Sequence, residues 1–366
     1  MIYYLVTPKY EHTIKNYLAH WAKQLEPRVR IVFYDDVLRA RELPLGTYVF
    51  SDLERLLPSE TEIATLVWQQ LHAAGARLLN HPTRTLKRYD LLTMLHARGR
   101  NRFRVVRASD RRTELRFPVF LREEGEHSGS LTRLLKSRRE LDEALVGAMF
   151  RSHRLDTLLV VEYCDTADTE GIYRKYSAFT VGGRVVPCHI DCSRGWMVKD
   201  TDIVDAGVMK QEQDYLETNP HREWLEETFA LAGVDYGRID YSLLNGAPQV
   251  WEINTNPVVI LTPDHYSEIH MPVKWRFAAK VGPALEAVDS VREQRMVPID
   301  VPAPMMAALD AERRRQERLK SRRLFMRRVT RWGPVRAVRS VIRPMMTPIA
   351  PLLARISRSR AIGKSS

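Results

Sequence analysis

The chain is poor in cysteine, with 3 in 366 residues: Cys164, Cys188 and Cys192. An odd number without paired spacing excludes a disulfide framework. Cys188-His189 with Cys192 lacks the second paired cluster of a structural zinc site. Long hydrophobic runs are also missing. No stretch reaches about 18 uninterrupted apolar residues, so no membrane span is expected. Residues 1–6 are too short an apolar run for a signal peptide and carry no basic lead, which sets a cytoplasmic location as the expectation. No G-x-G-x-x-G occurs, so a dinucleotide role has no support.

The last shortage is local. Residues 311–366 hold 2 acidic side chains against 17 basic ones, a net of +15. Subtracted from the chain's 57 basic and 45 acidic residues, these leave 40 and 43 in residues 1–310, a net of −3. The body is therefore nearly neutral, and any charge argument about partners applies to the tail alone. In the tail, Val335, Val338, Ile342, Met345, Ile349, Leu352, Leu353 and Ile356 recur at helical spacing with Arg336, Arg339 and Arg343 between them. Three readings stay open for 311–366: a segment lying on a membrane surface, contact with nucleic acid, or a partner-docking extension.

The rest has ordinary composition, 44% hydrophobic and 28% charged, which excludes global disorder. Apolar runs at 2–6, 31–34 and 47–50 read as strands. A helical pattern at 60–74 has Ser59 as its expected N-cap and Gly75 as its stop. Strands alternating with helices predict a parallel α/β unit over 1–80. Asn80-His81-Pro82 marks a turn, and a second helical pattern runs over 85–97. Strands then become frequent, at 119–121, 158–163, 173–181, 184–190, 241–244 and 250–253. Gly182-Gly183 and Asn245-Gly246 predict two hairpin turns.

The second hairpin carries the chemistry. Asp240 lies on its first strand, and Glu252 and Asn254 lie on its second. Glu252 and Asn254 are two residues apart, so they share a face. Pairing through Asn245-Gly246 brings Asp240 toward them. Two carboxylates and an amide oxygen are hard donors of the type Mg²⁺ prefers, and Mg²⁺ keeps waters and nucleotide phosphates as its other ligands.

Arg238-Ile239-Asp240, a hairpin, then Glu252-Ile253-Asn254-Thr255-Asn256-Pro257 resembles the metal-binding end of ATP-grasp enzymes, in the style of D-alanine–D-alanine ligase and other carboxylate–amine ligases. The resemblance implies that Asp240, Glu252 and Asn254 bind Mg²⁺, or Mn²⁺ in its place, and that Arg238 contacts the developing oxyanion. Val258 stands where the family has Gly. The likeness covers roughly 80–260.

By the same resemblance, Phe117-Pro118-Val119-Phe120-Leu121-Arg122 is the strand whose last residue touches nucleotide phosphates. Arg122 replaces the usual Lys, which is not an equivalent swap. The following loop, with His127, Ser128 and Gly129, resembles the one that covers the phosphates. Glu162, Tyr163 and Cys164 would meet adenine through their backbone, and Asp165 would reach the ribose. Arg174 and Lys175 fall on opposite faces of one strand, with Arg174 the preferred phosphate contact of the two. Lys199 is a further phosphate candidate.

The implied architecture is an α+β ATP-grasp fold. It comprises an N-terminal Rossmann-like α/β domain (1–80), ATP-grasp subdomains at 81–163 and 164–295, and a basic, partly helical extension (296–366). The implied activity is an ATP-dependent ligase joining a small-molecule carboxylate to an amine, or less often a thiol, through an acyl-phosphate. The alternative is a catalytically silent ATP-binding module that docks through its tail.

Overall fold

The computed structural model describes residues 1–110, 114–126, 129–151, 153–199, 201–291 and 295–331. His127, Ser128 and the tail pattern over 335–356 lie outside the described residues. The chain divides into two compact units, 1–87 with 166–310 and 88–165 with 311–366.

The first unit opens with β1 (Ile2–Val6), α1 (His12–Trp21), β2 (Val29–Phe33), α2 (Tyr34–Val37), β3 (Glu42–Pro44), β4 (Thr47–Phe50), α3 (Pro58–Ala73) and β5 (Arg77–Leu79). Four strands form a parallel sheet in the order β2-β1-β4-β5. All five residues of β1 are buried, as a parallel strand covered on both faces requires. Alternation splits them between two cores. Ile2, Tyr4 and Val6 join Tyr17 and Trp21 of α1, while Tyr3 and Leu5 join Ile63, Val67 and Leu71 of α3.

Helix α3 starts earlier than expected. Pro58 takes the first position, and the Leu57 N–H donates to Glu60 Oε2 at 2.9 Å, so Ser59 is not the cap. Proline favours that position because its missing N–H would be unsatisfied there anyway. Gly75 ends the helix, with φ of +88°.

The second unit contains α4 (Arg88–Ala97), β6 (Val105–Arg107), β7 (Val119–Glu123), α5 (Arg138–Phe150) and β8 (Leu158–Glu162). Its strands form an antiparallel sheet in the order β6-β8-β7. Val106, Val119, Leu121, Leu158 and Val160 of the sheet bury against Leu141 and Leu145 of α5.

The first unit resumes with β9 (Tyr173–Val181), β10 (Arg184–Ser193), α6 (Ala206–Thr218), α7 (Arg222–Ala232), β11 (Tyr236–Leu244), β12 (Ala247–Asn254), α8 (Met271–Val288) and β13 (Met296–Pro298). Strands β10-β9-β11-β12 make an antiparallel sheet. Its two hairpin turns form as expected, with φ of +59° and +86° at Gly182 and Gly183, and +51° and +81° at Asn245 and Gly246. The pair of positive φ values is what the type I′ turn demands.

Strand β13 pairs with β3. Residues 296–310, expected to open the basic extension, are thus packed into the body. Helix α9 (Ala303–Arg331) follows, and its Leu309 is fully buried.

Candidate active site

Strand pairing sets the site. Asp240 stands directly opposite Glu252, and Arg238 opposite Asn254. Opposed residues share a face, with Cβ atoms about 5 Å apart, close enough for two carboxylates to share one cation. The register then shifts so that Trp251 is the extra residue on β12, and such a bulge re-aims the side chains beside it. On the other side of β11, Asp240 faces Ser177 of β9, which faces His189 of β10. One row across four strands therefore reads His189, Ser177, Asp240, Glu252. Two residues along β9, Lys175 faces Asp191. The result is a polar face of three carboxylates and three nitrogen bases.

Its partners are specific. Asp240 is 5% exposed. Its Oδ1 accepts from Ser177 Oγ at 2.8 Å and from Arg238 Nε at 3.0 Å, and its Oδ2 accepts from Arg238 Nη2 at 3.4 Å. Burial opposes the Arg238 charge, but Asp240, Cys188 and Glu252 together outweigh it and raise its pKa. Lys175 Nζ lies 3.0 Å from Asp191 Oδ2 and donates to the Val198 carbonyl at 3.2 Å. Burial works against this ammonium, and Asp240 and Asp191 more than offset it, raising its pKa. His189 Nε2 lies 3.4 Å from Asp191 Oδ2. Burial again opposes the charge, yet Cys188 and Asp191 push the imidazole up to about 10. Burial raises Asp191, and His189 and Lys175 overcome this to hold its carboxyl far below the ordinary range.

Two amides anchor the hairpin. Asn80 is buried, and its Nδ2 donates to the carbonyls of Phe50 and Tyr236 at 3.1 and 2.8 Å. Its Oδ1 accepts from the N–H groups of Asp235 and Tyr236 at 2.8 and 3.0 Å. This fixes the start of β11 against the end of β4. At the same open end, just past β12, Asn256 Oδ1 accepts from Tyr4 Oη at 2.8 Å and Thr13 Oγ1 at 2.6 Å. Thr255 Oγ1 donates to Glu54 Oε2 at 2.6 Å. Thr255 and Asn256 are thus spent on docking, and Asn254 remains beside the carboxylates. Its Oδ1 accepts from the Asn256 N–H at 2.8 Å and keeps a second lone pair.

Among the described residues, no three His, Cys, Asp or Glu side chains are grouped to hold a metal ion. The donor set on offer is two carboxylates and an amide. It suits a hard cation that draws its remaining ligands from water and phosphate, and it does not suit a closed protein cage.

Arg174 and Lys175 take opposite faces of β9, as alternation requires, and their partners differ. Arg174 forms an ion pair with Asp168 and donates to Gln211. Lys175 shares the carboxylates' face, because it is the even-spaced neighbour of Ser177. The Lys199 side chain is exposed, and its carbonyl accepts from Lys175 Nζ at 3.5 Å. The sequence reading missed Ser177 and Asp191 and gave His189 no partner. Their signal was alternation on β9 and β10 once these strands were paired to β11.

The candidates in the second unit sit on β7, β8 and the segments after them. Arg122 is half-buried on β7, opposite Leu159. Gly129 has φ of +85°, which a side chain would disfavour. The intervening turn is tied by buried Arg88, whose Nη1 donates to the carbonyls of Glu123, Glu124 and Glu126 at 3.1, 2.5 and 2.9 Å. Acids that would repel phosphate are paired: Glu123 with His153, and Glu124 with Arg107.

The segment expected to meet adenine has two of its N–H groups bonded internally. The Glu162 N–H donates to the Arg104 carbonyl at 3.0 Å, and the Tyr163 N–H donates to the Pro118 carbonyl at 2.9 Å. Neither donor is left for a base. The Glu162 carboxylate is buried and accepts from the N–H and side chain of both Arg104 and Arg116 at 2.9–3.0 Å. Burial pushes the Cys164 thiol up to about 11, and Asp165 is exposed.

Comparison with known proteins gives one kind of match. No family model matches the chain, and no curated protein does. Among solved structures, D-alanine–D-alanine ligase from Bacillus anthracis complexed with ATP is 13% identical with a TM-score of 0.45, over 80% of this chain and 99% of that one. A RimK domain ATP-grasp protein from Sphaerobacter thermophilus DSM 20745 is 13% identical with a TM-score of 0.41, over 76% and 98%. The ATP-grasp ligase PsnB, complexed with a precursor variant, Mg and ADP, is 12% identical with a TM-score of 0.43, over 76% and 96%.

Proposed function

We propose that the chain binds Mg-ATP and uses it to join a carboxylate to an amine. The observation that carries this reading is the direct opposition of Asp240 and Glu252 across β11 and β12, with Asn254 beside them and cations around them. A divalent ion held there would neutralise phosphate charge during phosphoryl transfer. Asp240 and Glu252 would supply charged ligands, and Asn254 a neutral oxygen.

Arg238 has two roles in this scheme. Without metal it is the counter-ion of Asp240. Were a cation held by Asp240, Arg238 would be free to stabilise negative charge on a reacting acyl oxygen. Lys175, held protonated by the flanking acids, would contact the transferred phosphoryl group. The substrate carboxylate oxygen attacks the γ-phosphorus, and the β–γ bond breaks to release ADP. The amine nitrogen would then attack the acyl carbon, the acyl C–O bond would break, phosphate would leave carrying the former carboxylate oxygen, and the amine's surplus proton would pass to solvent. Positioning and fixed charge supply most of the acceleration in such steps.

The test is ADP release with pooled carboxylates and amines in the presence of Mg²⁺. Glu252→Ala should abolish turnover while leaving the thermal unfolding transition in place. Unchanged turnover would remove the metal assignment. A second reading, an ATP-binding module without turnover, is favoured by the close engagement of Asp240 by Arg238 and Ser177. Nucleotide binding without ADP release across the pools would select it.

A further inference from the structure

The parallel sheet has a point where its connections part. Strand β1 leads through α1 to β2 on one side, and β4, on its other side, leads through α3 to β5. The two helices cover opposite faces, since α1 packs on Ile2, Tyr4 and Val6 and α3 packs on Tyr3 and Leu5. Open α/β sheets bind ligands in the crevice that such a parting leaves outside the carboxyl ends of the strands. Here that crevice lies between residues 7–11, after β1, and residues 51–57, after β4. No residue assigned above to metal or phosphate stands on either loop.

Asp52 ties the two loops together. It is fully buried with φ of +56°, a left-handed conformation that costs an aspartate energy. Its Oδ2 accepts from the Thr7 N–H at 2.9 Å and from Thr7 Oγ1 at 2.8 Å, and its Oδ1 accepts from Arg55 Nε at 3.0 Å. The Arg55 guanidinium sits over the Tyr10 ring, 3.8 Å from its centroid. One edge and one face of the guanidinium are thus fixed. Its two Nη groups make no hydrogen bond among the described residues and are not sealed from solvent.

This differs from the arginines that only neutralise an acid. Arg28 gives Asp289 both Nε and Nη2, and Arg238 gives Asp240 the same two groups. Arg55 gives Asp52 its Nε alone and keeps the Nη pair. Its rotamer freedom is already lost on folding, so a ligand would not have to bear that loss again. Two N–H donors in one plane match the two oxygens of a carboxylate. The crevice also adjoins the metal hairpin. Thr255 Oγ1 accepts from the Leu53 N–H at 3.1 Å and donates to Glu54 Oε2 at 2.6 Å. The residue after Asn254 is therefore bonded to the two residues before Arg55.

We infer that Arg55 binds a second carboxylate on the acid substrate, one that is not consumed, in the crevice at the ends of β1 and β4. The substrate class is then a dicarboxylic acid, with one end at the metal hairpin and the other on Arg55. The reacting end rests on the ligase reading, and the Arg55 end is open to a test of its own.

That test is saturation-transfer NMR on the full-length protein with Mg²⁺ and AMP-PNP. The probes are succinate, glutarate and adipate against the length-matched monoacids butyrate, valerate and hexanoate. At least one diacid should bind about tenfold or more tightly than its monoacid, the scale of a charge-assisted bidentate pair. Arg55→Gln should erase that preference. Arg55→Lys keeps the charge without the planar pair and should recover only part of it. AMP-PNP affinity should match the parent in both variants. If Arg55→Gln melts early, Arg55→Lys decides, and a full diacid preference in it overturns the inference. Equal binding of diacids and monoacids by the parent overturns it, as does a preference that survives Arg55→Gln. A matching loss of AMP-PNP affinity would give Arg55 to the nucleotide and overturn it too. ADP release separates the two readings. Diacid preference without ADP release would sink the ligase reading and leave Arg55 its ligand. Diacid-dependent ADP release with parental KM in Arg55→Gln would do the reverse.

Discussion

Asp240 and Glu162 are both buried carboxylates held by arginine, and they differ in what surrounds them. Glu162 accepts from two guanidinium groups and two backbone N–H groups. Its negative charge is matched by an excess of donors, and its pKa is lowered despite the opposing effect of burial. Nothing is left over to hold a ligand. Asp240 has one arginine and one hydroxyl, and a second carboxylate, Glu252, stands directly across the strand pair. Two like charges in register destabilise a sheet unless something else neutralises them. In the β11–β12 hairpin Arg238 and Lys175 supply the neighbouring positive charge.

The largest expected effect breaks the pair itself. Asp240→Asn keeps shape and removes one charge, and should lower Mg-dependent ADP release by about 10²–10³-fold, the scale of losing a charge-stabilising group. The same readout with Glu252→Gln should match it. If either variant turned over normally, the opposition of the two acids would be only a structural oddity.

Lys175 and Arg174 offer an internal control one residue apart. Lys175→Met removes the cation on the carboxylates' face and should cut ATP turnover by about 10²-fold. Arg174→Met removes a cation paired with Asp168 on the opposite face and should change turnover little. Equal losses in steady-state assays would mean that the face assignment does not govern phosphate contact.

Ser177 allows a finer test. Its hydroxyl donates to Asp240 and is fully buried. Groups that orient a metal ligand typically contribute about 10–100-fold in affinity. Ser177→Ala should therefore raise the Mg²⁺ concentration for half-maximal turnover toward the lower end of that range, with saturating Mg²⁺ restoring the rate. A loss that saturating Mg²⁺ cannot repair would assign the hydroxyl a different job.

How much of this was legible in the sequence follows from the range of each signal. Asn245-Gly246 sits in an alternating pattern, so the turn, the strands and the shared face of Glu252 and Asn254 can be read locally. The alternation of Arg174 and Lys175 is equally local. Which of the two meets the acids depends on Ser177 pairing with Asp240, 63 residues away, and no local pattern encodes that register. Glu162 misleads for a similar reason: Arg104 and Arg116 lie 58 and 46 residues before it. Their convergence makes the Glu162 carboxylate an internal tie, which no local pattern announces. Ser59 before a helical pattern looked like a cap, and Pro58 overrode it by fixing the first helical position.

Glu162→Gln should have the smallest effect on catalysis, and it tests the other half of the comparison. The substitution leaves two arginines sharing a neutral amide that cannot accept as many bonds. Both guanidinium groups are partly solvent-exposed, so water takes up some of the loss, and the expected destabilisation is about 1–3 kcal/mol rather than the full penalty for an orphaned buried charge. Turnover per folded molecule should stay near the parent value. The pH dependence has a definite sign. Because the folded-state pKa lies below that of the unfolded chain, the carboxylate's contribution is fully present above the ordinary glutamate range and is lost as pH falls through the depressed value. Urea midpoints measured from neutral pH downward should therefore fall more steeply below about pH 4 for the parent than for Glu162→Gln. Parallel curves would mean that the arginines hold the loops at residues 104 and 116 without help from the charge. Glu162 would then be no better spent than Asp240, and the distinction between the two acids would fail.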